Sequence, residues 1–274
     1  MIEKEGKEME EIWKRSNHIA FIVCLTLLLS VLMETGQGIK NAYAGDVVVD
    51  PGKKVFGERC MVCHGDKGNG KGPAGIIRNS EKGGRILLVR PRDFTTGVFR
   101  FRSTPTGCMP VDNDLLRLVD LGIPRSFMPP HKDKLSPEEK KAVIEYIKTF
   151  AKRWKEESPC EAIPVKQPKY VGSRSSIEKG LTVYKKMKCW ECHGDDGRGG
   201  GGKADKIKDD WGNPIPPFNF TSGALKRGGT PEDVYITFTT GLDGTGMPSY
   251  EDSLNEEERW DLVSYTLKLM GLVK

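Results

Sequence analysis

Apolar residues recur at helical spacing near the ends of two long stretches of this 274-residue chain. The first of these helices is predicted to start at Ser136-Pro137-Glu138-Glu139. A serine, a proline and acidic residues in this order are typical of a helix N-terminus. Its apolar stripe comprises Val143, Ile144, Tyr146, Ile147 and Phe150. The second follows Asn255, with the apolar residues Trp260, Leu262, Val263, Leu267 and Leu269. Shorter amphipathic helices are predicted to open at Gly52 and Gly180.

The chain contains an internal repeat. Five residues, Asp114, Gly122, Met128, Leu135 and Tyr146, match Asp233, Gly241, Met247, Leu254 and Tyr265, and every pair is offset by 119 positions. The segment 93–97 matches 219–223 at an offset of 126. The first copy therefore carries extra residues before Asp114, most of them around Pro105 to Pro110.

The repeat predicts two tandem domains, at residues 45–155 and 176–274. The stretch between them, 156–175, is polar, contains three prolines and reads as a linker. Before the first domain, an apolar run from Ile19 to Met33 is shorter than the roughly 20 residues that span a membrane. Because Ala42-Tyr43-Ala44 then supplies a cleavage signal, residues 1–44 are predicted to be a signal peptide. An uncleaved membrane anchor is the alternative, since the flanks of the run are long.

Candidate chemistry lies in Cys60-Met61-Val62-Cys63-His64, which recurs as Cys189-Trp190-Glu191-Cys192-His193. Two thiols on one helical turn bond to the two vinyl groups of haem, and the adjacent histidine supplies an axial nitrogen to iron. We therefore predict two covalently attached haem c groups. A zinc site or a redox dithiol is the alternative. A zinc site leaves unexplained the histidine that follows each pair, and a thioredoxin-like dithiol needs a βαβ context, whereas the flanks are not strand-like.

A Met-Pro pair follows each motif. Met128 and Met247 are repeat equivalents, whereas Met109 lies in or beside the extra residues of the first copy. We therefore predict that the distal iron ligands are Met128 and Met247, opposite His64 and His193.

Other residues near these motifs allow two interpretations. The glycine-rich loops 65–75 and 194–202 are expected to let the backbone pass close to a flat ring. The basic side chains either bind haem propionates or form a solvated face, and they are Arg90, Arg92, Arg100, Arg102, Lys226 and Arg227. Trp211 either donates its indole N–H to a propionate or packs.

Composition adds little to this picture. Hydrophobic residues make up 37% of the chain, so each protein core is thin and buried haem would complete it. Without residues 1–44 the chain has 38 Lys and Arg against 32 Asp and Glu, a net charge of +6. This balance is not typical of a nucleic-acid-binding protein, and it slightly favours an acidic partner.

The remaining cysteines also leave two possibilities open. Of seven cysteines, four belong to the haem motifs and Cys24 lies in the N-terminal apolar run. Cys108 and Cys160 remain. They form either one disulfide, as an exported protein permits, or two unrelated thiols.

The order of helix, Cys-x-x-Cys-His, glycine-rich loop, Met-Pro and terminal helix resembles class I cytochrome c over most of 45–274. The resemblance implies an all-α fold of two haem domains and one-electron transfer between redox proteins. The protein would work in the periplasm or another extracytoplasmic compartment, as a carrier or as a haem subunit of a membrane complex. The alternative is a di-haem enzyme, either a peroxidase, in which His131 replaces one ligand at most, or a sulfur-oxidising enzyme with Cys108 on one iron.

Overall fold

The structure, a computed structural model, describes residues 50–80, 86–223 and 225–274. The predicted signal peptide or anchor over residues 1–44, with Cys24, lies outside these residues. No helix in the described ranges is long and apolar enough to cross a membrane.

Two lobes follow one another along the chain. The first lobe, residues 50–151, contains α1 (Pro51–Arg59), α2 (Met61–His64), β1 (Ile77–Ser80), β2 (Ile86–Val89), α3 (Asp112–Leu121) and α4 (Pro137–Lys148). A connecting segment, residues 152–172, contains α5 (Arg153–Glu156). The second lobe, residues 173–274, contains α6 (Arg174–Lys186), α7 (Trp190–His193), α8 (Pro231–Thr240) and α9 (Glu256–Leu269). Short 3₁₀ turns lie at Phe94–Thr96, Ala204–Lys206 and Phe220–Ser222.

Side-chain caps fix where the long helices begin. The Ser136 hydroxyl accepts from the backbone N–H of Glu139, and the Glu139 carboxylate accepts from the N–H of Ser136. Asn255 and Glu258 form the same reciprocal pair at the start of α9. These contacts satisfy amide groups that have no partner inside the helix. The helix starts predicted at these two positions are confirmed.

Within each lobe the first and last helices cross at a glycine. A Cβ at Gly52 would lie 2.2 Å from the carbonyl oxygen of Ala142, so α1 and α4 approach this closely only because no side chain intervenes. A Cβ at Gly180 would lie 2.0 Å from the carbonyl oxygen of Asp261, between α6 and α9. The same crossing therefore organises both lobes.

Each lobe has its own apolar core. The first core is built by α1, α3 and α4 with two phenylalanines from the loop before α3, and it contains Val55, Phe56, Phe94, Phe99, Leu115, Val119, Leu135, Val143, Ile144 and Ile147. The second core contains Ile177, Val183, Tyr184, Phe220, Val234, Phe238, Trp260, Leu262 and Val263 among others. The all-α class with two tandem domains is confirmed, while the domain boundaries predicted at 155 and 176 stay predictions.

One element was not predicted. β1 and β2 pair as an antiparallel hairpin, with Ile77 opposite Val89 and Ser80 opposite Ile86. The four apolar residues of β2 are too few to show a helical or alternating period, so sequence periodicity carries no signal there. The hairpin is an addition to a helical fold.

The two lobes interlock through ion pairs and hydrogen bonds of arginine side chains. The fully buried guanidinium of Arg102 donates to the Asp243 carboxylate at 2.7 Å and to the Thr240 carbonyl at 3.2 Å. Arg117 pairs with Asp233 at 2.7 Å, and Arg227 donates to the carbonyl of Arg102 at 2.9 Å. The alternative of a solvated basic face is therefore wrong for Arg102, which joins the lobes.

The extra residues of the first copy also contact the second lobe. The insertion, defined as residues 103–110, places the Thr106 hydroxyl 3.0 Å from the carbonyl of Thr240. A disulfide joins Cys108 in the insertion to Cys160 in the connecting segment, with Cα atoms 5.8 Å apart. This settles the question left open for these two cysteines, and it ties the connecting segment to the first lobe.

Candidate haem-binding sites

Each Cys-x-x-Cys-His motif forms one short helical turn. In the first lobe the N–H of His64 donates to the carbonyl of Cys60 at 2.9 Å, and in the second lobe His193 donates to Cys189 at the same distance. The cysteines lie one turn apart on α2 and α7 or at their N-caps. This geometry presents two thiols and an imidazole from one turn, as haem attachment requires.

The glycine-rich loops fold back on these turns. Gly70 donates to the carbonyl of His64 at 2.9 Å, and Gly199 donates to that of His193 at 2.7 Å. A Cβ at Gly72 would lie 2.4 Å from the carbonyl oxygen of Val62. Gly72 is therefore needed because the loop packs against the backbone of the motif, a close contact other than the predicted one with a flat ring.

A phenylalanine stacks on each motif histidine. The rings of His64 and Phe94 have centroids 4.5 Å apart and planes 13° apart. The rings of His193 and Phe220 are 4.7 Å and 20° apart. Sequence reasoning missed this role, although the repeated Asx-Phe-Thr segments that contain these phenylalanines were its signal.

The histidines are held neutral. Burial lowers the pKa of His64 to about 4, and it also lowers the pKa of His193. The backbone carbonyls of Arg92 and Phe218, which are repeat equivalents, oppose these shifts without cancelling them. The ring nitrogen Nδ1 of His193 lies 3.0 Å from the Phe218 carbonyl, so Nδ1–H donates and Nε2 keeps its lone pair. A neutral imidazole oriented in this way fits an iron ligand.

The motif thiols do not resemble a redox dithiol. Burial is the main cause that raises the pKa of both the Cys60 and the Cys189 thiols to about 11. Reactive cysteines have lowered pKa values, so these thiols are not poised for disulfide exchange. No cluster of three or more His, Cys, Asp or Glu side chains suited to a metal ion occurs in the described part of the chain. The raised thiol pKa values argue against the dithiol alternative.

The Met loops, residues 122–130 and 241–249, have matching backbones. Gly122 and Gly241 both have φ +64° and ψ −167°. Ile123 donates to the carbonyl of Met128 at 3.1 Å, and Leu242 donates to that of Met247 at 3.1 Å. A Cβ at Gly122 would lie 2.4 Å from the Met128 carbonyl oxygen, so the loop closes only on glycine.

The other candidate iron ligands, Met109 and His131, are placed differently from Met128. The Met109 side chain is 1% exposed, and its carbonyl accepts from the Thr104 hydroxyl at 2.9 Å in the insertion. His131 is buried at the position equivalent to Tyr250, and both residues donate backbone N–H groups to α-helix carbonyls at 2.9 Å. Burial and the nearby Lys134 and Arg59 lower the pKa of His131.

Comparisons with known proteins agree with this geometry. The model of the family described as "Cytochrome C oxidase, cbb3-type, subunit III" matches residues 48–147 and again 175–265. The chain belongs to this family. A solved chain from the Kuenenia stuttgartiensis reducing HAO-like protein complex Kustc0457/Kustc0458 is 38% identical, with a TM-score of 0.70. The likeness covers 83% of this chain and 97% of that one. No curated protein sequence matches.

The protein is therefore a di-haem c-type cytochrome that acts in electron transfer. Its two cytochrome c domains carry two covalently attached haems c. The two thiols and the imidazole that each motif turn presents fit this cofactor. Trp211 of this cytochrome packs across the lobes, with the Arg90 guanidinium 5.5 Å from its ring centroid.

Proposed function

We propose that this di-haem cytochrome relays single electrons between redox proteins outside the cytoplasm, as a subunit of a redox complex. The haems are attached at Cys60 and Cys63 in the first lobe and at Cys189 and Cys192 in the second. One observation carries the proposal. Both lobes set a stacked, neutral histidine and a glycine-closed Met loop at repeat-equivalent positions.

The axial ligands in this proposal are His64 with Met128 and His193 with Met247. Bound haem supplies reversible one-electron chemistry, and histidine–methionine ligation raises its reduction potential. The protein's own part is to hold the imidazoles neutral and oriented. Because each haem iron would then be held by a histidine and a methionine, electron transfer is favoured over peroxide chemistry. Because Cys108 is in a disulfide, it has no thiolate to offer to iron.

Membership of a complex is proposed from two observations. The similar solved chain comes from a protein complex. The lobes are interlocked by the Arg102–Asp243 and Arg117–Asp233 pairs, which favour a fixed spacing between the two haem sites. The disulfide supports an oxidising compartment and therefore the predicted export of the chain.

The test begins with EPR and near-infrared spectra of the oxidised, purified protein, together with its haem content. We expect two haems per chain, both low-spin with histidine and methionine ligands. Pulse reduction should then show one electron redistributing between the haems after a single-electron injection. A high-spin or bis-histidine haem would contradict the ligand assignment, and two haems that never exchange electrons would contradict the relay.

A further inference from the structure

A buried tyrosine contacts the first cysteine of the second haem motif. Tyr250 is 8% exposed and belongs to the apolar core of the second lobe, against which Cys189 packs. A hydrogen bond joins the Tyr250 side chain to the Cys189 sulfur. The Tyr250 hydroxyl is therefore in contact with a sulfur that haem attachment uses.

The direction of this hydrogen bond follows from its effects on two pKa values. Burial raises the pKa of both Cys189 and Tyr250, and the hydrogen bond opposes the first shift and adds to the second. This pattern is expected where the hydroxyl donates and the sulfur accepts. Once attached to haem, the Cys189 sulfur is a thioether, which has no proton and can only accept. The hydroxyl therefore suits the haem-loaded protein, and its raised pKa keeps it protonated.

The repeat places a histidine at the same position in the first lobe. His131 lies 119 residues before Tyr250. Their backbone N–H groups donate to the carbonyls of Val119 and Phe238, which are a further pair with this offset. The two side chains therefore leave the backbone at equivalent sites.

The contact with sulfur is not repeated in the first lobe. Nδ1 of His131 is buried and has no hydrogen-bond partner among the residues that the structure describes. The causes that raise the pKa of Cys60 are burial and the neighbouring Cys63. An imidazole is also shorter than a phenol, so its tip ends nearer the backbone. The two haem motifs thus differ in the contact that Tyr250 makes.

We propose that the Tyr250 hydroxyl raises the reduction potential of the second haem through its hydrogen bond to the Cys189 sulfur, and that His131 leaves the first haem without this effect. A donated hydrogen bond places the positive end of the O–H dipole beside the sulfur, which stabilises the form that carries the extra electron. The inference rests on the proposed function and adds a residue that distinguishes the two haems. Because Tyr250 acts through Cys189, it is a positioning residue.

The test is an equilibrium redox titration of the intact di-haem protein at neutral pH, followed by visible absorbance. The two haems give two one-electron waves. Tyr250→Phe removes the hydroxyl and keeps the ring, whereas His131→Tyr adds a hydroxyl at the equivalent site and His131→Phe does not. Tyr265→Phe is the matched control, because Tyr265 is a buried tyrosine of the second lobe whose ring packs on Tyr184.

We expect Tyr250→Phe to make the reduction of one haem at least about threefold less favourable, which is a shift of about 30 mV to lower potential. The other wave should stay in place. His131→Tyr should move that other wave by a similar amount to higher potential. His131→Phe and Tyr265→Phe should change neither equilibrium constant by more than about 1.5-fold.

Four results overturn the proposal. One is unchanged waves in Tyr250→Phe, and another is a shift of the same wave by Tyr250→Phe and His131→Tyr. An equal shift in Tyr265→Phe means that any buried hydroxyl acts alike, and an equal shift in His131→Phe means that the histidine already makes the contact. If His131→Tyr does not bind haem, Tyr250→Phe with its control still decides.

The near-infrared spectrum separates this role from simple support of the iron ligand. Tyr250→Phe should keep both sulfur-to-iron bands, because the hydroxyl contacts the thioether sulfur of Cys189. Loss of one band in this variant overturns the proposal in favour of a role in holding Met247.

The titration is also independent of the proposed relay, because equilibrium potentials do not require exchange between the haems. If pulse reduction shows no exchange, the relay fails while the titration still decides the role of Tyr250. If Tyr250→Phe leaves both waves unchanged and exchange is seen, the relay stands and this inference fails.

Discussion

Single residues define the two haem sites by their matched surroundings. His64 stacks on Phe94 as His193 stacks on Phe220, and each ring is kept neutral by burial. Met128 shares its backbone hydrogen bond and its glycine with Met247. Met109 shares neither, and its side chain is buried. Both Met109 and Met128 precede a proline, so only the position in the repeat distinguishes Met128 as the proposed ligand.

The assignment of Met128 rather than Met109 as the iron ligand is testable by substitution of each residue. We expect Met128→Ala to abolish the near-infrared sulfur-to-iron band of one of the two haems and to lower its reduction potential, because a methyl group cannot ligate iron. The control Met109→Leu should keep both bands and cost less than about 1.5 kcal/mol, since it conserves side-chain volume. Loss of a band in Met109→Leu but not in Met128→Ala would reverse the assignment.

At the scale of elements, the crossing of the first and last helices sets the frame of each lobe. Gly52 and Gly180 occupy equivalent crossings, where an added Cβ would meet a carbonyl of the partner helix. Gly57 lies on the same helix as Gly52, but an added Cβ there meets nothing within 4 Å. Two glycines of one helix therefore have opposite requirements.

The contrast predicts opposite effects of one substitution within α1. Gly52→Ala should lower the free energy of unfolding by about 1–3 kcal/mol, because the helices must separate to admit the methyl group. Gly57→Ala should leave it unchanged or raise it by up to about 1 kcal/mol, because alanine favours helix more than glycine does. Denaturant titrations of the haem-loaded protein measure both. Equal effects at the two positions would refute the close crossing.

At the scale of the whole molecule, a buried arginine helps to hold the two lobes together. Arg102 is fully buried between them and donates to the insertion at Pro105 as well as to Asp243 and Thr240. Burial lowers the pKa of Arg102, and the negative charges of Asp243 and Asp114 partly offset this shift. The insertion and Arg102, which directly precedes it, are thus part of the contact between the two copies.

Replacement of Arg102 should lower the free energy of unfolding more than replacement of an exposed arginine. Arg102→Ala leaves the Asp243 carboxylate without its partner, and we expect a loss of about 3 kcal/mol in the free energy of unfolding. The control Arg174→Ala breaks an exposed pair with Glu178 and should cost less than about 1 kcal/mol. Thermal unfolding of both variants decides the matter, and similar melting temperatures would contradict the structural role of Arg102.

The sequence alone determined the local features. Helix starts at Ser136 and Asn255, the two Cys-x-x-Cys-His turns and the equivalence of Met128 with Met247 were all predictable. Each depends on residues within a few positions of one another, or on an offset that can be counted along the chain. Family membership then confirmed two haem c domains.

Only the tertiary structure decided the long-range features. The partner of Cys108 is 52 residues away, and Arg102 and Asp243 are separated by 141 positions. The sequence left the disulfide open and left the arginines between a haem contact and a solvated face. Distances between remote residues depend on how whole helices pack, and no local period or spacing encodes them.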